Sequence, residues 1–178
     1  YYNFNHRLVK KYAFSYDELD RFFLTKVSTV NENDTEESAY EFEYNTASFP
    51  PRMAHNFQFD AWGYHNLNSV GHPIPNVGFG NPLSSYADRS PDLASTLGGS
   101  LSKIIYPTKG YSKFHYELNR ATQYLNLDKT KPASNIIGGL RVTKIEDYDR
   151  IHTKPYNVTK LVYSDGSISY QPIFVQNF

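Results

Sequence analysis

The sequence predicts a mainly β fold: an antiparallel sheet or sheets of long hairpins, one short helix, and a long irregular loop at about 46–88. Three observations predict it. The dominant period of apolar residues is two, unbroken in Tyr40-Glu41-Phe42-Glu43-Tyr44, and a strand sends successive side chains to opposite faces. Turn-forming residues separate the alternating runs at hairpin spacing. Residues 46–88 hold Pro50, Pro51, Pro73, Pro75 and Pro82 with Gly63, Gly71, Gly78 and Gly80 and keep no regular period; so long a loop in a compact domain is usually functional or an insertion.

The elements follow in order. Val9 to Phe14 reads as an early strand. Phe22 to Val30 is rich in β-branched residues and reads as a second. The polar stretch Asn31 to Glu37 closes a long hairpin onto Tyr40–Tyr44, whose three aromatics are expected to point inward. Ser90 is expected to cap a two-turn helix from Pro91 to Leu97, with Pro91 and Asp92 in its first turn and Gly98 at its end. Ser102 to Tyr106 and Tyr111 to Leu118 form the clearest hairpin, with Pro107 and Gly110 in the turn, Gly110 supplying positive φ. Gly138-Gly139 introduces the strand Leu140–Ile145 and permits a bulge or a close approach. At the C-terminus, Val158–Tyr163 is expected to pair with Ile168–Val175 across 164–167, because Asp-Gly is a strong hairpin signal.

Composition sets the outer limits. A length of 178 residues fits one module over 1–178, read as a hairpin region (1–45), a loop with the short helix (46–98), and β hairpins (99–178). Sixteen Tyr and twelve Phe offset a modest hydrophobic content of 39%, since each aromatic buries on the order of 150–250 Å². The formal net charge is zero, with 18 basic and 18 acidic residues, which argues against a general nucleic-acid binder. The absence of cysteine excludes thiolate chemistry, disulfides and zinc–thiolate sites. No apolar run approaches membrane-spanning length. Tyr1-Tyr2-Asn3-Phe4 has neither an initiator Met nor a signal-peptide pattern, so the expectation is a processed or excised fragment of a larger protein.

The most distinctive stretch is Asp60-Ala61-Trp62-Gly63-Tyr64-His65-Asn66. Asp60, Trp62, Tyr64 and Asn66, with Tyr86, are the candidate ligand- or partner-binding residues. A Trp beside a Tyr and polar amides suits a sugar-stacking platform. The plainer reading, weighted above it, makes Trp62 an anchor holding the loop on the sheet, with Asp60 and Asn66 tying down backbone. No catalytic or metal-ligating set emerges. The six histidines lack ligand spacing, and His65, His72 and Asp60 together fall short of the converging set zinc needs. The carboxylates offer no preferred pair at glycosidase separation. There is no Gly-x-Ser-x-Gly elbow and no phosphate loop. No cofactor is expected.

The order of several motifs resembles a known group. Arg7–Phe14 and Phe22–Val30 precede Tyr40–Tyr44, then Phe49-Pro50-Pro51-Arg52, Asp60–Asn66, Ala87-Asp88-Arg89-Ser90-Pro91, Gly99–Glu117 and Gly138–Ile145. This succession resembles a segment of large secreted or surface proteins of Bacteroidota, many of which carry RHS (YD-type) repeats. Tyr163–Tyr170 is similar to the hairpin of a YD-like repeat, with Ser164 inserted between Tyr163 and Asp165. The resemblance implies a β-rich surface architecture, export, an extracellular or outer-membrane-associated location and no transferable catalytic residues.

These readings converge on a non-catalytic structural and interaction module of an exported RHS-like protein. It is expected to act through sheet packing and contact with the remainder of a larger polypeptide or with another protein chain. The first alternative is a glycan-binding module using exposed aromatics around Trp62, with Tyr64, Tyr86 and Tyr111. The second is a carboxylate-dependent glycoside hydrolase using residues such as Asp60 and Glu117.

Overall fold

The computed structural model describes residue 4 and residues 10–17, 22–46, 57–74, 85–124, 136–164 and 166–168. Eight strands and one short helix are present among them: β1 (Lys11–Asp17), β2 (Phe23–Val30), β3 (Glu36–Tyr44), α1 (Leu93–Thr96), β4 (Leu101–Ile105), β5 (Tyr111–Tyr124), β6 (Ile136–Tyr148), β7 (Asn157–Lys160) and β8 (Gly166–Ile168). β1 to β7 follow one another in sequence order across one open antiparallel sheet, and β8 pairs with β5 in parallel. The predicted mainly β architecture with one short helix is the observed one.

The chain divides into two compact units, residues 1–45, 100–115 and 144–160 in the first and residues 46–99, 116–143 and 161–178 in the second. β5 and β6 contribute residues to both.

In the first unit, local chemistry fixes the turns. Asn31 closes the β2–β3 connection: its Oδ1 accepts from the backbone N–H of Asn33 and Thr35 at 2.9 and 3.0 Å, an Asx arrangement that lets Asp34 take φ 57°. The β4–β5 turn differs from expectation. Lys109, not Gly110, adopts positive φ (67°). Gly110 is needed for a different reason, because a Cβ there would stand 2.8 Å from the carbonyl oxygen of Tyr148.

The predicted inward trio on β3 is also corrected. Phe42 and Tyr44 are half-buried, but Tyr40 is exposed, and the buried residue of that strand is Ala39 on the opposite parity. Tyr44 is anchored by its hydroxyl, which donates to Leu24 O at 2.9 Å, and by the Phe23 ring at 4.8 Å. The Glu43–Lys103 pairing sets opposite charges beside one another across the ladder. Lys103 reaches Glu43 at 2.6 Å, and Lys109 reaches Glu41 at 3.3 Å.

Two further expectations change. The helix is shorter than predicted and is capped by Asp92, whose Oδ2 accepts from Ser95 N at 2.7 Å, rather than by Ser90. Gly99 rather than Gly98 takes the left-handed conformation after it, at φ 75°. The C-terminal segments do not pair with each other among the described residues. β7 adds to β6 through Lys144–Lys160 and Asp147–Asn157, while β8 lies along Ala121–Tyr124. The open edge of β6 captures the first arm, and beyond it the Tyr163 hydroxyl donates to Val142 O at 2.7 Å with Arg141 over its ring. Residues 169–175 of the predicted second arm lie outside the described residues, as does Val9.

Candidate functional site

The distinctive stretch folds as a tight polar turn in the second unit. Asp60 is wholly buried (0% exposed). Its Oδ1 accepts from the backbone N–H of Trp62 at 2.8 Å and of Tyr64 at 2.9 Å. Its backbone N–H donates to Tyr64 O at 2.7 Å, and Gly63 turns the corner with φ 93°. An aspartate suits this position because a short side-chain acceptor can satisfy two turn N–H groups at once.

The other oxygen, Oδ2, is buried and accepts no hydrogen bond among the described residues. It faces Gly138 of β6, where a Cβ would approach it to 2.6 Å and would also meet Trp62 Cβ at 2.7 Å and Tyr64 Cδ2 at 2.9 Å. A Cβ on Gly139 (φ 90°) would meet the far end of the Tyr64 ring at 3.0 Å and Asn119 Nδ2 at 2.8 Å. The diglycine is therefore a seat: missing side chains let the Asp60–Tyr64 turn lie directly on β6. Burial raises the Asp60 carboxyl above its ordinary value, opposed by the backbone donors and by the charge of Arg89.

A second layer ties this turn to residues 85–96. Asn66 (1% exposed) donates through Nδ2 to Asp88 O at 2.8 Å and Ser90 O at 3.1 Å. Asn68 (2% exposed) donates to Phe57 O at 2.9 Å and accepts from Asp88 N at 3.2 Å. Arg89 donates to Asp60 O at 2.7 Å, accepts from Ala61 N through its own carbonyl at 3.0 Å, and lays its guanidinium 4.1 Å from the Phe59 ring centre. Thr96 of α1 donates to His65 O at 3.1 Å. A loop without regular structure thus meets its backbone requirement through buried amides.

Of the predicted site residues, Asp60, Trp62 and Tyr64 come together on the diglycine seat. Asn66 lies in the adjoining amide network, and Tyr86 is half-buried beside Ala87. Trp62 is half-buried and Tyr64 is 46% exposed. Asp60 and Asn66 direct their side chains to backbone groups of the loop itself. Tyr111 stacks on Tyr148 at 4.6 Å and 14°, which covers one of its faces. Glu117 accepts from Arg141 at 2.7 Å. Among the described residues no three His, Asp or Glu side chains gather as a metal set, and no helix is long and apolar enough to cross a membrane.

A row of exposed aromatics lies elsewhere, on the first unit. Tyr12, Phe14 and Tyr16 share one parity of β1 and are 45%, 57% and 52% exposed. Phe14 pairs with Val27, and Val27 with Tyr40, which is 46% exposed. These residues form an apolar row across three adjacent strands, aromatic on β1 and β3 and aliphatic at Val27 of β2. Sequence reading missed β1 as a surface, although Tyr12, Phe14 and Tyr16 at every second position supply the signal. Comparison with protein-family models, curated proteins and solved structures finds no match for this chain.

Proposed function

We propose that the chain is a non-catalytic contact module whose working surface is the aromatic face of β1 to β3. The observation that carries this reading is where the large apolar side chains lie. Among the described residues the buried hydrophobic ones are Val30, Ala39, Ala87 and Ala121, none of them aromatic. Tyr12, Phe14, Tyr16 and Tyr40 instead stand together in solvent on one sheet face. Contiguous exposed apolar surface marks interaction sites, and Tyr and Phe are enriched where proteins meet. The resemblance to large surface proteins supports placing this contact within an exported assembly, against the rest of a longer polypeptide or another chain. The Asp60–Asn66 turn is then a scaffold element, because Asp60 Oδ1 accepts from its own backbone and Asn66 Nδ2 donates to the carbonyls of Asp88 and Ser90.

Replacing Phe14 and Tyr40 with Ser tests the reading. Each change is expected to leave the unfolding free energy within about 0.5 kcal/mol, as at ordinary surface positions, while binding of a hydrophobic dye such as bis-ANS falls. Variants that unfold, or that bind the dye as before, would show that this face is not the contact surface.

A further inference from the structure

The stacked rings of Tyr111 and Tyr148 join two neighbouring strands of the first unit. β5 and β6 lie side by side in the sheet, and the two rings meet at 4.6 Å between centroids with 14° between their planes. Backbone packing fixes that meeting. A Cβ at Gly110 would stand 2.8 Å from Tyr148 O, so the start of β5 lies directly on the end of β6. Next to the stack, the Ser112 hydroxyl donates to Asp147. Another tyrosine pair, Tyr40 with Tyr106, meets edge-on at 6.1 Å and 85°. The charges around the stack bear on its oxidation. The Tyr148 hydroxyl donates to Glu146 Oε2 at 3.3 Å, and Lys144 and His115 keep that carboxyl ionised. The ammonium of Lys103 lies 5.1 Å from the centre of the Tyr111 ring, and that of Lys113 lies 5.7 Å from Tyr111 and 5.3 Å from Tyr148. Positive charge this close opposes a cation on either ring. An electron therefore leaves together with a proton, and Glu146 is placed to take the proton of Tyr148.

We propose that Tyr111 and Tyr148 are an oxidative cross-linking site, where a one-electron oxidant of the peroxidase class joins the two rings as dityrosine and Glu146 receives the Tyr148 proton. The site is built by β5 and β6 and does not depend on the aromatic face of β1 to β3. Each tyrosine gives one electron to the oxidant and loses its phenolic proton, from Tyr148 to Glu146 and from Tyr111 to solvent. The two phenoxyl radicals then pair their unpaired electrons in a bond between Cε carbons, the ring positions beside the hydroxyls where spin collects. Such a bond first forms roughly perpendicular to both ring planes, a geometry that stacked rings offer and edge-on rings do not. The hydrogen on each bonded Cε leaves as a proton and one returns to each phenol oxygen. The net loss is two electrons and two protons, taken up by hydrogen peroxide as it becomes two waters. In a chain without cysteine, the new carbon–carbon bond is a covalent staple between strands that a thiol reductant does not open.

The whole chain is treated at low concentration with a haem peroxidase and hydrogen peroxide, and the monomer-size product is digested and mapped by mass spectrometry. One peptide pair, joined through Tyr111 and Tyr148 and lighter by two hydrogens, is expected to dominate over links among the other tyrosines, of which the chain has sixteen in all. The same treatment in urea should lose that preference. Y111F and Y148F keep both rings and should each abolish the dityrosine emission of the monomer, while Y40F should leave it. E146Q keeps an oxygen for the Tyr148 hydroxyl but is not a base, and should form the same link several-fold more slowly. The linked chain should need more urea to unfold, because a cross-link restricts the unfolded chain as a disulfide does. Links spread evenly over the tyrosines, a 111–148 link no more favoured than in urea, monomer dityrosine emission that persists in Y148F, an unchanged rate in E146Q, or an unchanged unfolding midpoint would each overturn the staple.

Discussion

Asp60 Oδ2 stands 2.6 Å from where the Cβ of any larger residue at position 138 would be built, so the carboxylate of one segment occupies the side-chain space of another. Gly138→Ala should therefore push against Asp60, Trp62 Cβ and Tyr64 together. Overpacking of this kind costs about 1–3 kcal/mol. Trp62 is the sole tryptophan, so its fluorescence reports on this seat during denaturant unfolding. An unchanged midpoint and emission maximum would show that the turn is not held against β6 in solution.

Asp60 also sets a pH response of definite sign. Its folded-state carboxyl titrates above the ordinary 3.8 because burial disfavours the charge. Between 3.8 and that raised value the folded protein binds more protons than the unfolded chain, so stability falls as pH rises through the window. Above the window the full cost of the buried charge is present. Asp60→Asn keeps an oxygen for the Trp62 and Tyr64 N–H groups and should remove this pH dependence. Asp60→Ala leaves both N–H groups without their acceptor and should cost about 1–3 kcal/mol. A stability–pH profile identical in wild type and Asp60→Asn would refute the assignment.

Acid acts in the opposite direction on the first unit. Lys144 and His115 hold the Glu146 carboxyl at about 2, below its ordinary 4.5. The His152 backbone and ring, with the Ile151 N–H, hold Asp149 at about 2, below 3.8. Their stabilisation is fully present above the ordinary values and is lost as pH falls toward about 2. Amide protection near 144–152, taken relative to the intrinsic exchange rate at each pH, should fall over that range. Glu146→Gln should flatten the Glu146 part of the response, and a variant as acid-sensitive as the parent would show that this ion pair is not formed.

The buried amides give a fourth expectation. Asn66→Ala leaves the carbonyls of Asp88 and Ser90 without a donor and should cost about 1–3 kcal/mol. Asn66→Asp should cost at least as much, since a carboxylate cannot donate to either carbonyl. Chemical denaturation of the two variants ranks them, and a well-folded Asn66→Asp protein of parental stability would contradict the network.

The sequence is most informative where alternation and turn chemistry coincide. Tyr40–Tyr44 and the Ser102–Leu118 hairpin show both, and both are strands as expected. Asp165-Gly166 misleads for a physical reason: it reports a local preference for a hairpin, whereas the fate of Val158 is decided by the open edge of β6, which pairs Val158 with Glu146. The same distinction applies to the polar turn. Asp60 and Asn66 are visible as residues suited to tying down backbone, because such bonds are short in sequence. The meeting of Tyr64 with Gly138 and Gly139 is not visible, since nothing local in either segment encodes the other. Tyr40 shows the limit of parity: alternation separates two faces of a strand but does not say which one is covered.

The interleaving of the two units has a consequence for synthesis on the ribosome. The first unit draws on residues 1–45, 100–115 and 144–160. β3 meets its next neighbour only when Ile105 emerges to pair with Glu41, and β7 completes that unit later still. The early hairpins must therefore persist as an unfinished sheet while the intervening chain is made. Such long-separation strand pairing is slow, on the millisecond-to-second scale for small β proteins. Truncating the chain before residue 160 would leave an incomplete first unit rather than a shorter independent one.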